Sequence, residues 1–120
     1  MDPEAIRDVF QGLGRPVHIR RMFGGQGIYH DDVMFALEVR GELYLKTDAE
    51  TVPHFEGLDS KPFAYASRDG GTVNTSYWLM PSAALEEPDE AARLAELAIA
   101  AALRRRRAAP RSGRRNPAKD

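Results

Sequence analysis

Ser76 and Tyr77 stand side by side in an apolar run, and Lys46 closes another. A serine, a tyrosine and a lysine brought together can move protons. Their spacing does not require them to meet, so a hydrogen-bonded sheet surface is the plainer expectation. Ser67, Ser76 and Ser82 lie outside a GxSxG context, and no serine has a lysine three positions on. His18, His30 and His54 are dispersed and lack metal-ligand spacing, and Asp31-Asp32 beside His30 reads as a solvated turn. The chain has no cysteine, which removes disulfides, thiolate metal sites and a cysteine nucleophile. Gly24, Gly25 and Gly27 cluster without the lysine and hydroxyl of a phosphate-binding loop, and a strand follows them. They read as a bulge or tight turn, where glycine permits positive φ or close backbone approach. No catalytic residue, metal or cofactor is expected, and the chain does not read as an enzyme.

Charge offers a different chemistry. Eight of the 17 basic residues fall in the last 17 positions: Arg104, Arg105, Arg106, Arg107, Arg111, Arg114, Arg115 and Lys119. Asp120 is the one acid there, so this segment is +7 and the preceding 103 residues are −8. An arginine-rich end can contact phosphates or an acidic partner. It carries no aromatic residue to stack on bases, so it offers no sequence readout.

The elements that hold these residues follow from periodicity. Asp2 and Pro3 suit the start of a helix whose apolar stripe is Ile6, Val9, Phe10 and Leu13, ended by Gly12 or Gly14. Val17 to Lys46 reads as successive strands. In the third of these apolar segments Val33, Phe35, Leu37 and Val39 alternate with Met34, Ala36, Glu38 and Arg40, and Arg40-Gly41-Glu42 closes a hairpin onto Leu43-Tyr44-Leu45-Lys46. Short turns imply antiparallel neighbours. Thr47 or Asp48 caps a brief helix through Phe55, and two strands follow, Phe63–Ala66 and Val73–Leu79. In the last strand Val73, Thr75, Tyr77 and Leu79 are expected inward, and Asn74, Ser76, Trp78 and Met80 outward. A long helix runs from the acids at Glu86–Glu90 to about Arg106, with Leu94, Leu97, Ala98, Ala101 and Ala102 on its apolar face.

Arg21-Met22-Phe23-Gly24-Gly25-Gln26-Gly27-Ile28-Tyr29 resembles the opening signature of the TfoX/Sxy N-terminal domain family. Met34-Phe35-Ala36, Leu43-Tyr44-Leu45-Lys46, Pro62-Phe63-Ala64-Tyr65 and Ser76-Tyr77-Trp78-Leu79-Met80-Pro81 are similar to its later strands, in the same order. The resemblance covers roughly Met1 to Leu103. It implies an α+β fold of two layers: an antiparallel sheet of about five strands with helices on one face, similar to secretion chaperones. The expected order, α-β-β-β-α-β-β-α, matches the order read from turns and periodicity. The founding family members are competence regulators that act with the cyclic-AMP receptor protein and resemble two-domain chains. Only an arginine-rich tail stands here where their second domain would be.

The expectation is a domain over residues 1–105 and a disordered basic tail over 106–120. The motif Met22, Phe23, Gly24, Gly25, Gly27 and Tyr29 is expected to be mainly structural. Tyr44 and Trp78 are candidates for an exposed partner surface, and Arg40, Glu38 and Glu42 could tune it. The function expected is regulatory or adaptor contact with a protein partner, in transcriptional regulation by family resemblance. Weak, non-specific nucleic-acid contact through the tail is the alternative. The acidic N-terminus and the lack of an apolar run near 18–20 residues lead to the expectation of a cytoplasmic protein without a membrane segment, monomeric or homodimeric.

Overall fold

The computed structural model describes residues 1–22 and 24–108. Helix α1 (Pro3–Val9) begins where Asp2 accepts a hydrogen bond from the Ala5 backbone N–H at 2.8 Å, with proline in the first turn. A 3-10 turn over Gln11–Leu13 ends at Gly14, whose φ of 73° suits glycine. Four strands follow: β1 (His18–Met22), β2 (Gly25–His30), β3 (Val33–Val39) and β4 (Glu42–Lys46). The β3–β4 connection is the two residues Arg40 and Gly41, both at positive φ, as a tight hairpin with the right twist requires.

Helix α2 (Val52–Gly57) starts later than Thr47 or Asp48, because Asp48 first organises a turn. Its Oδ1 accepts from the backbone N–H groups of Glu50 and Thr51. Pro53 falls in the first helical turn, where no N–H is needed. Strands β5 (Pro62–Ala66) and β6 (Thr72–Leu79), a second 3-10 turn (Ser82–Glu86) and helix α3 (Pro88–Ala108) complete the chain.

All pairings are antiparallel, in the order β1-β2-β3-β4-β6-β5. The class is α+β, as expected, and the sheet has six strands because β1 and β2 are separate arms of a hairpin. Helix α3 lies on β3 and β4, and its buried residues are Ala91, Leu94, Ala95, Ala98, Ile99, Ala101 and Ala102. Ile6, Val9 and Phe10 of the N-terminal segment join the same cluster, with Phe10 edge-on to Phe35.

One irregularity decides which residues face the helices. Ile28 pairs with Ala36 but Tyr29 pairs with Met34, so Phe35 is an extra residue in β3. Phe35 and Ala36 are consecutive and both 0% exposed. Strict alternation through β3 therefore fails. Past the bulge, Glu38 turns to the covered side, while Leu37 and Val39 turn away from the helices.

Glu38 is 4% exposed, which corrects the reading of it as a surface residue. It accepts from Gln26 Nε2 at 2.9 Å, the Gly41 N–H at 2.8 Å and the Met1 amine at 3.3 Å. Burial pushes its carboxyl up, but these donors outweigh burial and hold it below the ordinary value.

Candidate functional site

The helices cover one side of the sheet, and the other side is built from the alternate residues of the same strands. Leu37 opposes Tyr44, Tyr44 opposes Leu79, Met34 opposes Tyr29 and Lys46 opposes Tyr77. The Tyr44 ring rests 5.0 Å from that of Phe63. These apolar and aromatic side chains are half-buried by their neighbours in the sheet. Two cations lie over rings at the margin of this face. The Arg20 guanidinium is 5.1 Å from the Tyr29 centroid, and Lys46 Nζ is 5.1 Å from that of Tyr77.

Tyr44 and Trp78 do not share this surface. Trp78 opposes the fully buried Leu45 and packs against the core, so the expected faces of β6 are exchanged: Tyr77 and Leu79 lie on the open side. Two short strand segments of similar apolar content carry no internal mark of which alternate set faces the helices.

The glycine motif shapes the β1–β2 end of the open face. Gly24 has φ 68°. A Cβ on Gly25 would overlap the Glu38 carbonyl oxygen across the β2–β3 pairing. A Cβ on Gly27 would lie 2.8 Å from Met22 Sδ, 2.9 Å from Met34 Sδ and 3.1 Å from Tyr29 Cε1. Gly27 thus lets two methionines and a tyrosine fold over the sheet. Met22 is 40% exposed, and Phe23 lies outside the described residues. A shallow depression of about 550 Å³ is lined by Arg20, Arg21, Met22 and Tyr29. Sequence reading missed Arg20, Arg21, Met34, Leu37 and Phe63. The signal was the unbroken apolar run from Val33 to Leu37, too rich for a strand with one solvated side.

Lys46, Ser76 and Tyr77 do come together. Lys46 Nζ donates to Ser76 Oγ at 2.6 Å. The Tyr77 hydroxyl donates to the Met34 carbonyl at 3.5 Å, and burial, with Tyr29 beside it, pushes it up to about 12. Burial and then the charge of Arg105 hold Lys46 below its ordinary value. The cluster acts as a polar clasp between β4 and β6. Among the described residues, no three histidines or carboxylates converge to hold a metal ion.

The arginine run is divided. Helix α3 continues through Ala108, so residues 106–108, expected in the disordered tail, are helical. Arg104 donates to both Asp48 oxygens, at 2.5 and 3.1 Å, and reaches Glu50 at 3.2 Å. Arg106 donates to the Asp32 carbonyl and carboxylate, both at 3.1 Å. Each arginine holds its partner, Asp48 or Asp32, below the usual carboxylate range. Arg105 and Arg107 are exposed and have no carboxylate partner among the described residues. Arg111, Arg114, Arg115 and Lys119 lie outside the described residues. No described helix is long and apolar enough to cross a membrane.

Comparison with known proteins places the chain beside a DNA transformation protein and matches it to a family model. The chain is 38% identical over 63 residues to the DNA transformation protein TfoX1 of Aliivibrio fischeri (strain ATCC 700601 / ES114), a match covering 52% of this chain and 30% of that protein. The family model described as the TfoX N-terminal domain matches residues 8–102, the span from the first helix to the body of α3. The glycine turn, the bulged sheet and the alanine-rich helix that covers it are therefore those of a member of the TfoX N-terminal domain family.

Proposed function

We propose that this domain is a non-enzymatic regulatory module that works by protein contact through the open face of its sheet. The observation that supports this is the apolar character of that face. Met34, Leu37, Tyr44, Phe63 and Leu79 gather on the side that no described helix covers. Exposed apolar patches rich in tyrosine and methionine and bordered by arginine have the composition of protein interfaces. The relative's name, with its reference to DNA transformation, supports a role in regulating competence or a related response.

Site-specific photo-crosslinking in cells tests this reading. Benzoylphenylalanine at position 37, on the open face, is expected to give a discrete adduct with another protein. The same group at position 93, on the exposed side of α3, is expected to give none. Adducts from position 93 alone would move the contact surface to the helices and overturn the assignment.

A second reading, weak nucleic-acid contact, rests on Arg105 and Arg107. Such contact would be non-specific and salt-sensitive. The −8 charge of the preceding 103 residues opposes it.

A further inference from the structure

Resting on the reading of the open face as a contact surface, we propose that its β1 end receives an extended, acidic segment of a partner protein carrying an apolar anchor. Three features of one place support this. Strand β1 is the outer strand of the sheet, and beyond it no described strand takes its second set of backbone groups. A segment laid beside it can add as a further antiparallel or parallel strand, gaining main-chain hydrogen bonds. Alternate side chains of such a segment would point to the two sides of the sheet.

On the open side they meet the depression lined by Arg20, Arg21, Met22 and Tyr29, and Met22 folds over Gly27 together with Met34. Thioether side chains are flexible and repack around an apolar guest, and the glycine beneath leaves room for them to move. An apolar anchor of leucine or phenylalanine size suits this floor.

Charge fixes the rest of the partner's chemistry. Arg20 and Arg21 are neighbours in β1, so they project to opposite sides of the sheet, and both are exposed. Neither has a carboxylate within ion-pair distance among the described residues, although those first 103 residues are acidic overall. A strand added at this edge passes both guanidinium groups, and carboxylates on it complete two ion pairs.

Two other occupants fit less well. A second copy docked symmetrically here would bring the arginines of both protomers together with no acid between them. A single-stranded nucleic acid needs bare ring faces, but the Arg20 guanidinium lies over Tyr29 and Lys46 Nζ lies over Tyr77.

The test titrates the full chain into labelled synthetic peptides followed by fluorescence anisotropy. One peptide alternates aspartate with leucine and phenylalanine, one replaces aspartate by lysine, and a third probe is an oligo-dT strand. Saturable binding of the acidic peptide is expected, at least about tenfold tighter than the lysine version. The Arg20→Glu/Arg21→Glu variant should weaken it about tenfold or more while circular dichroism and thermal midpoint hold. Hydrogen exchange should show new protection in His18–Met22 on binding. No saturation, equal binding of the lysine peptide, tighter binding of oligo-dT, or concentration-dependent dimerisation that buries β1 would each overturn the proposal. The crosslink at position 37 separates this failure from that of the broader reading. An adduct that persists unchanged in the double arginine variant removes the acidic segment and leaves the open face as the contact surface.

Discussion

The two faces of the sheet draw on the same strands, almost residue by residue, and end in opposite conditions. On the covered face Ile28, Phe35, Ala36 and Leu45 are fully enclosed by α3, the N-terminal helix and Phe55. On the open face Met34, Leu37 and Tyr44 are as apolar but remain half-exposed. An antiparallel sheet with one solvated side ordinarily alternates apolar with polar residues, and β3 does not. The helices decide which apolar set becomes core. The remaining set gives a surface that a partner can enclose.

The sharpest way to break this contrast is to truncate one residue on each face of β3. Phe35→Ala removes a buried ring touching Phe10 and should cost about 3–5 kcal/mol. Leu37→Ala should cost less than about 1 kcal/mol, since its surroundings are already partly wet. Urea denaturation of both variants measures the difference. Equal losses would mean that the open face is enclosed in the free protein, and the contrast would vanish.

Glu38 tests the covered face from its polar side. Glu38→Ala leaves the Gly41 N–H and the Gln26 amide without their acceptor, at a cost of about 1–3 kcal/mol. Its pH dependence has a definite sign. Because its folded pKa is lowered, its contribution is present above the ordinary value of 4.5 and is lost as pH falls through the folded one. Stability curves measured from pH 6 downward should fall more steeply for the wild type than for Glu38→Gln. Parallel curves would show that this carboxylate is not preferentially ionised in the folded state.

The fold was legible in the sequence because turns and periodicity are local. Asp2-Pro3, Arg40-Gly41 and the alanine face of α3 each mark a boundary or a packing surface by their own chemistry. The open face was half legible. Of the two candidates Tyr44 and Trp78, Tyr44 lies on it and Trp78 packs against the core, because the face of a short strand depends on its register with a neighbour. The bulge at Phe35 reverses the alternation of everything after it, turning Glu38 inward and Leu37 outward. Nothing within β3 marks the extra residue, which arises from the pairing of Ile28 with Ala36 and of Tyr29 with Met34. The division of the arginine run was likewise invisible, since Asp48 and Asp32 lie 56 and 74 positions away from their partners.

The smallest effect is expected at the margin of the covered layer, where charge takes over from apolar packing. Helix α3 buries Ala101 and Ala102, and beyond them it is tied to the sheet by Arg104 and Arg106. Arg104→Ala breaks a two-point contact with a partly buried Asp48 and should lower the urea midpoint only slightly, and less at high salt. Arg105→Ala/Arg107→Ala touches no such contact and should leave stability unchanged. The same two variants separate anchoring from binding. If the second reading holds, a labelled duplex titrated at low salt loses affinity with the Arg105/Arg107 pair removed and keeps it in Arg104→Ala. If both variants bind like the wild type, Arg105 and Arg107 are no duplex contact, and Arg104 serves only to anchor the helix.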